Sequence, residues 1–539
     1  MTEEFHTRPR TKSELLAAVL VALITLAFGA FGAIILYAKW QNFDSHLLDF
    51  AKAALYDERL IQGVPFSYKI VYYSFFYSAF NSLLLPFYMI FRSVSLFFVV
   101  HLVCFTLAIP LLYRIARQNL VGVTLPLAVV VGYALNPSIN MLVIGIMRLE
   151  ALWLICFLLT IYFVNAKRPN AALTAASIGC ILRMDGIPAF FLLGLTFILT
   201  KRSAVGRRIM TNSIVVFVIL SVLIVVFRLI SGISPSLNQL HLNNILGSAE
   251  GSSIFNNLKG AASSLLNLKS YAHLAIALQL LLLPLFAPAY LLPAAFSVLY
   301  VVVSSESFYA IPEVRSLAMP NTFMVPSIHS HDTFILPIFF VAMIYGVRTL
   351  YSWLSRLCTT REKFLATIRG FFGGALILSF FFVHWFYATP YMGPIPLTPH
   401  FNWDYYRQTP HSRLAWRMLD RLPKDVPGFI QFSFAERNDK YLLAVEVYPT
   451  TEITPQTQYA LFDLYAFSAN MPKEKLLEKI RDALTRKDFY ADHFEDGIIL
   501  LKRGEPNEKN KKILDYIDEN WDWLSKNLDN PYRYNTPSH

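Results

Sequence analysis

Between Glu14 and Lys39 the chain carries no charged residue, and that single run decides what kind of molecule this is. A helix of about 20 apolar residues matches the hydrocarbon thickness of a bilayer. Further apolar runs follow at roughly 95–113, 121–138, 150–165, 171–183, 186–200, 211–231, 273–287, 289–304, 333–352 and 367–388, which gives about eleven predicted spans. The shorter runs must extend into their flanks or pack against protein. Only 15% of the 539 residues are charged, 55% are hydrophobic and the mean hydropathy is +0.45, values far from those of a soluble domain. The expected fold is therefore an α-helical polytopic membrane protein. The first run is too long for the apolar core of a signal peptide and lacks a small-residue cleavage pattern, so it is expected to stay as an anchor.

Charge orients the spans. Arg8, Arg10 and Lys12 precede the first run, and Arg114/Arg117, Lys167/Arg168, Lys201/Arg202/Arg207/Arg208 and Arg356/Arg361/Lys363/Arg369 all fall on the same predicted side. Basic loops stay cytoplasmic, which puts the N-terminus inside and, with an odd span count, the C-terminal part outside. The net charge of +11 lies mostly beside predicted helix ends, so it orients the chain and argues against nucleic-acid binding. Residues 70–91, apolar and tyrosine-rich, are assigned to the outer interface, because a span there would move Arg114 and Arg117 outside. Cys104, Cys156, Cys180 and Cys358 lie in or at the ends of spans, so no disulfide framework or zinc knuckle is implied.

Two domains are expected: a membrane module over 1–390, with outer loops 39–94, 232–272 and 305–332, and a small extracytoplasmic α/β domain over 391–539. In the latter, strands are predicted at 428–434, 441–447, 459–464 and 497–502. Helices are predicted at 411–421, 472–486 (Pro472 suits a first turn) and 507–527.

The residues with chemical potential gather at the outer boundaries. Asn42-Phe43-Asp44-Ser45-His46-Leu47-Leu48-Asp49-Phe50 follows the first span. Carboxylates at membrane depth are costly unless they pair, bind a metal or do chemistry. Asp44 fits a general base, whose correct placement is worth about 10²–10⁴-fold in rate. It equally fits a helix cap worth about 1 kcal/mol, although Leu47 stands where a capping-box partner would. Asp49 belongs to a solvated face of the amphipathic helix set by Leu47, Leu48, Ala51, Ala54 and Leu55, or converges with Asp44 if Asp44 sits in the preceding loop. Arg148 with Glu150, and Arg183 with Asp185, each place a cation and an anion two residues apart in apolar surroundings. The arginines can grip a lipid phosphate in a bidentate fork, or each pair can neutralise itself locally; recurrence at two outer boundaries favours the phosphate. Lys69 and Arg315 are further outer cations. His329-Ser330-His331-Asp332 offers metal-ligating side chains at a spacing that is not diagnostic, so a divalent metal stays open. Trp40 and Trp385 close predicted spans as interfacial anchors. No Walker loop, Gly-x-Ser-x-Gly elbow or His-Glu-x-x-His motif is present, which removes the usual ATPase, hydrolase and zincin readings.

Taken together, the early outer Asp, the many short spans and the outer C-terminal domain resemble glycosyltransferases of the GT-C type. The chain looks most similar to a large uncharacterised bacterial family of polytopic membrane proteins placed in that clan. Phe43-Asp44 and Asp49 match the family's Phe-Asp and second Asp. Arg148-Leu149-Glu150 keeps only the acid of a His-Pro-Glu-like element, and Arg183-Met184-Asp185 only the acid of a Lys-Glu-Asp-like element. His329 and His331 correspond to the histidine-containing outer segment, and Asp496-Gly497 through Gly504 to the closing strand. The resemblance implies a bacterial plasma-membrane enzyme making an inverting sugar transfer from a polyprenyl-phosphate donor to a lipid, glycan or protein acceptor. It also implies Asp44 as base. Arg148 and Arg183 as phosphate ligands are inferred from these residues alone, because the family differs there. Contacts with membrane lipids are expected, and a transporter or flippase of lipid-linked saccharide is the alternative.

Overall fold

The computed structural model describes residues 11–42, 85–91, 93, 95–144, 151–183, 186–231, 277–295, 332–357, 362–387, 396–398, 401, 403–423, 426, 428–431, 434, 445–447, 453, 455, 457–465 and 473–525. The chain divides into two compact units.

The first unit comprises 1–33 and 100–401. Among its described residues the helices include α1 (Lys12–Gln41, up to Ala33), α2 (Ser95–Asn119, from Val100), α3 (Thr124–Ala134), α4 (Pro137–Ile144), α5 (Ala151–Asn165), α6 (Pro169–Leu182), α7 (Ile187–Leu199), α8 (Ser203–Ser231), α9 (Asp332–Leu357) and α10 (Glu362–Tyr387). Among the described residues, five helices are long and apolar enough to cross a membrane: α1, α2, and segments of α8, α9 and α10. Four more, α3, α5, α6 and α7, are apolar but shorter. Large apolar side chains such as Leu26, Phe217, Phe371 and Phe382 are exposed on the helix exteriors. Water would penalise that surface and hydrocarbon would not.

Small residues let the helices approach. A Cβ on Gly194 of α7 would stand 2.7 Å from the Gly206 carbonyl of α8, and one on Gly206 would stand 2.5 Å from the Gly194 carbonyl. In lipid, where apolar burial gives helices little reason to associate, such close backbone packing is a main source of attraction. At the opposite polarity, Glu14 of α1 and Arg117 of α2 form an ion pair at 2.6 Å. The predicted span 121–138 is two helices. Pro137 cannot continue α3, so α4 starts afresh with Asn136 Oδ1 accepting the Ile139 N–H at 3.1 Å.

The second unit comprises 34–99 and 402–539. It carries a five-stranded mixed sheet ordered β2-β1-β3-β5-β4, with β1 at Gly428–Ile430, β2 at Val445–Val447, β3 at Tyr459–Asp463, β4 at Phe489–Glu495 and β5 at Ile498–Arg503. β1 is parallel to β2 and β3, while β5 is antiparallel to β3 and β4. Strand side chains alternate faces. Tyr459, Leu461, Ile498 and Leu500 therefore pack against helix α11 (Pro410–Asp420). Ala460, Phe462, Ile499 and Leu501 pack against α12 (Lys473–Thr485), α13 (Glu508–Glu519) and α14 (Trp521–Leu524). Because both faces are covered, β5 reads as a continuous Ile-Ile-Leu-Leu run.

The four predicted strands and three predicted helical regions have counterparts here, with three differences. The strand expected over 428–434 ends as β1 at Ile430. β4 was not predicted, and the helix expected over 507–527 breaks at Asn520. Residues 85–91 are helical, with Tyr88 buried against Phe97 at a ring separation of 5.9 Å.

Candidate functional site

Helix α11 is started by its own sequence. Thr409 is the N-cap, its hydroxyl accepting the Ser412 N–H at 3.1 Å, and Pro410 occupies the first turn, where a missing N–H costs nothing. This helix start receives the end of α1. Asn42 donates from Nδ2 to the Arg407 carbonyl at 3.1 Å, and its Oδ1 accepts the Thr409 N–H at 3.1 Å and the Ser412 hydroxyl at 3.0 Å. One turn further along α11, Trp416 Nε1 donates to the Gln41 carbonyl at 3.1 Å. Its ring meets Trp40 edge-on, with centroids 5.0 Å apart. Trp40, expected as an interfacial anchor, thus packs on α11, whereas Trp385 is half exposed.

The second residue of α11, directly after Pro410, bears charge. His411, buried at 3%, bonds from Nε2 to Asp463 Oδ2 at 3.0 Å and from Nδ1 to Asp496 Oδ2 at 2.9 Å. Asp463 ends β3 on the face that meets α11. Asp496 sits in the β4–β5 turn with Gly497, both at positive φ, a hairpin geometry that Asp-Gly adopts readily. Burial by itself disfavours the His411 cation, but the charges and hydrogen bonds of Asp463 and Asp496 outweigh it and push its pKa up to about 10. Burial also works against the Asp463 anion, yet His411, Lys473 and the Tyr465 N–H (2.8 Å) hold it below its ordinary value. Lys473, 5% exposed, is pulled down to about 8 by burial against the attraction of Asp463. With both ring nitrogens donating to carboxylates, His411 is a fixed imidazolium. It has no lone pair for a metal or a proton, and its role is to bind α11 to the sheet.

In the first unit, Arg183 follows α6 in extended backbone, 9% exposed, and its carbonyl accepts the Gly186 N–H at 3.2 Å. Trp153 of α5 lies against Gly186, where a Cβ would collide with its indole nitrogen. The start of α5 and the α6–α7 turn therefore share one end of these helices. Elsewhere the α3–α4 break is lined with polar groups: Ser138 donates to Gln279 Oε1 at 2.9 Å, and the ring nitrogens of His384 each lie 2.8 Å from a carbonyl oxygen, those of Leu135 and Pro396.

Of the candidate catalytic, phosphate-binding and supporting residues, only Arg183 is among the described residues. Asp44, Asp49, Lys69, Arg148, Glu150, Asp185, Arg315, His329 and His331 lie outside the described residues. Among the described residues, no three His, Cys, Asp or Glu side chains are grouped to hold a metal ion. Asn42, His411, Asp463 and Asp496 were given no role from sequence. Only Asp496-Gly497 carries a local signal, that of a hairpin turn.

A family model described as "Predicted membrane protein (DUF2079)" matches residues 77–426, well over half of the chain. The chain belongs to this family. As a DUF2079 member it is a multi-pass membrane protein, in keeping with its apolar helices. No curated protein matches the chain. The matched region runs from before the helix at 85–91 to just past α11, so it takes in the Asn42-binding helix start.

Proposed function

We propose that this membrane protein is a GT-C-like glycosyltransferase with about eleven transmembrane helices, moving a sugar from a polyprenyl-phosphate donor to an acceptor at the extracytoplasmic face. Asp44 takes the proton of the acceptor hydroxyl as its oxygen attacks the anomeric carbon. The bond to the phosphate breaks with its electron pair on polyprenyl phosphate, and the anomeric configuration inverts. Arg148 and Arg183, with Lys69 and Arg315 as further cations, stabilise the departing phosphate in a low-dielectric cleft. Glu150 and Asp185 orient the arginines or hold a divalent cation, while Asp49, His329 and His331 support the site. The α/β unit selects the acceptor.

The observation that carries this reading is the anchorage of Asn42, two residues before Asp44. Its three hydrogen bonds to the start of α11 give the Asp44 segment a fixed origin, as a general base requires. The burial of Arg183 adds support, since a guanidinium acts on phosphate most strongly where water is thin.

The polar break between α3 and α4 favours a second reading, because flippases and transporters build sites at discontinuous helices. The two readings separate in reconstituted vesicles loaded with radiolabelled polyprenyl-phosphate sugars. Detachment of the sugar from its lipid, with weaker donor retention in Arg183→Gln, is the expected result. Movement of the intact lipid-linked sugar without cleavage would favour the transporter.

A further inference from the structure

Helices α5 and α7 end in the same way. At the first, the Lys167 N–H bonds to the Val164 carbonyl at 3.2 Å and the Arg168 N–H to the Phe163 carbonyl at 2.9 Å. At the second, the Lys201 N–H bonds to Ile198 at 3.1 Å and the Arg202 N–H to Phe197 at 2.7 Å. Both are Schellman closures, in which the residue after the cap adopts the left-handed conformation and glycine is the usual choice. Here that residue is lysine each time, at φ 56° and 65°, followed each time by arginine. A Cβ-bearing residue is strained in that region, so the repeated placement of a Lys-Arg pair costs stability at two sites.

The two turns are tied side by side. Arg202 Nη1 donates to Asn165 Oδ1 at 2.5 Å, the last residue of α5, and Tyr345 Oη donates to the same oxygen at 3.1 Å. Tyr345 in turn stacks on Tyr290 at 3.6 Å and 7°. Lys167, Arg168, Lys201, Arg207 and Arg208 are exposed around this node. Between Ala151 and Ser231 the one carboxylate is Asp185, separated from either Lys-Arg turn by a full helix. Along α8, Arg207 is followed at helical spacing by exposed Ile214, Val215, Val218 and Val222, so a stripe of apolar surface begins about two turns along the helix from the cations. Positive charge above an exposed apolar stripe is complementary to an anionic phospholipid, headgroup and acyl chain together.

We propose that the paired Lys-Arg turns, with Arg207 and Arg208, form a binding site for an anionic phospholipid in the leaflet these turns face. The helix dipole explains a cation at each C-terminus, but not why it occupies the strained position, since flanking residues would serve as well. The site is independent of the proposed transfer chemistry.

The test uses the purified full chain in neutral detergent, with binding of phosphatidylglycerol, phosphatidylcholine and inorganic phosphate followed by native mass spectrometry and thermal shift. The double variant Lys167→Gly, Lys201→Gly suits both turns and should fold at least as well as the wild type, so weaker binding cannot be ascribed to unfolding. Phosphatidylglycerol is expected to bind wild type in preference to phosphatidylcholine, and affinity to fall about fivefold for each lysine removed. Arg207→Gln with Arg208→Gln should weaken it similarly. Equal retention of the two lipids, unchanged phosphatidylglycerol binding in the glycine variant, or competition by inorganic phosphate at matched concentration would overturn the proposal.

Discussion

His411 shows how one side chain can hold a unit together. The imidazolium is shared between Asp463, which is almost fully buried, and Asp496, whose side chain is 27% exposed. Removing one partner of a buried pair costs about 3–5 kcal/mol, because the remaining charge is left without compensation. His411→Leu should therefore lower the stability of the α/β unit by about that amount, and Asp496→Asn by less, since water reaches that carboxylate. Both are read as the urea midpoint at which a cysteine placed at buried Ala460 becomes open to a pulse of thiol reagent. The same readout follows pH. His411 has a raised value, so its contribution is complete below 6.5 and is lost as pH rises toward about 10. Asp463 has a lowered value, so its contribution is complete above 3.8 and is lost on further acidification. Lys473 acts in the opposite sense, its burial being a cost below about 8 that is relieved toward 10.5. The urea midpoint should be highest between pH 4 and 6.5, fall on either side, and fall less steeply above pH 8. A midpoint that rises steadily from pH 6 to 9 would contradict the buried imidazolium.

Between elements, the junction of α1 with α11 and the contact of α7 with α8 are the places where small changes should have large effects. Asn42→Ala removes the side chain that bonds the Thr409 N–H and the Arg407 carbonyl, while the Ser412 hydroxyl keeps the Thr409 carbonyl at 2.9 Å, a cost of about 1–3 kcal/mol. The amides of 409–413 should exchange faster, and sugar transfer should slow with donor binding unchanged. Unaltered exchange would mean that the end of α1 is held by Trp416 alone. Gly194→Val forces two backbones apart and should lower the thermal midpoint in detergent, by about 1–3 kcal/mol in stability terms. The elements themselves were largely legible where local chemistry decides them. Thr409-Pro410 starts a helix, and Ile498–Leu501 can only be a strand covered on both faces. β4 escaped because its pairing with β5 shifts between Ala491 and His493, which disturbs the alternation a strand is read by. The break at Leu135–Asn136 escaped because hydropathy runs straight through Pro137 and cannot see a missing hydrogen bond.

For the whole molecule, hydropathy and the distribution of lysine and arginine were enough to reveal a multi-pass membrane protein, because bilayer thickness imposes length and polarity on every span. The contacts that organise the α/β unit were not legible, and the reason is distance along the chain. His411 meets partners 52 and 85 residues away, and Asn42 meets Ser412 across 370 residues. No local pattern encodes such meetings; they exist only once the sheet has brought β3 and the β4–β5 turn under α11. The Asn42-Phe43-Asp44 segment stood out in the sequence for its carboxylate, while the structure gives the asparagine two residues earlier its anchoring role. The most direct measurement is single-turnover transfer from radiolabelled polyprenyl-phosphate sugars to acceptors in a membrane extract, with purified wild type beside Asp44→Asn. Transfer by the wild type, with a loss of about 10²–10⁴-fold in Asp44→Asn and donor binding intact, is the predicted result. A fully active Asp44→Asn would contradict Asp44 as the base, and silence from both proteins despite donor binding would contradict the transferase itself.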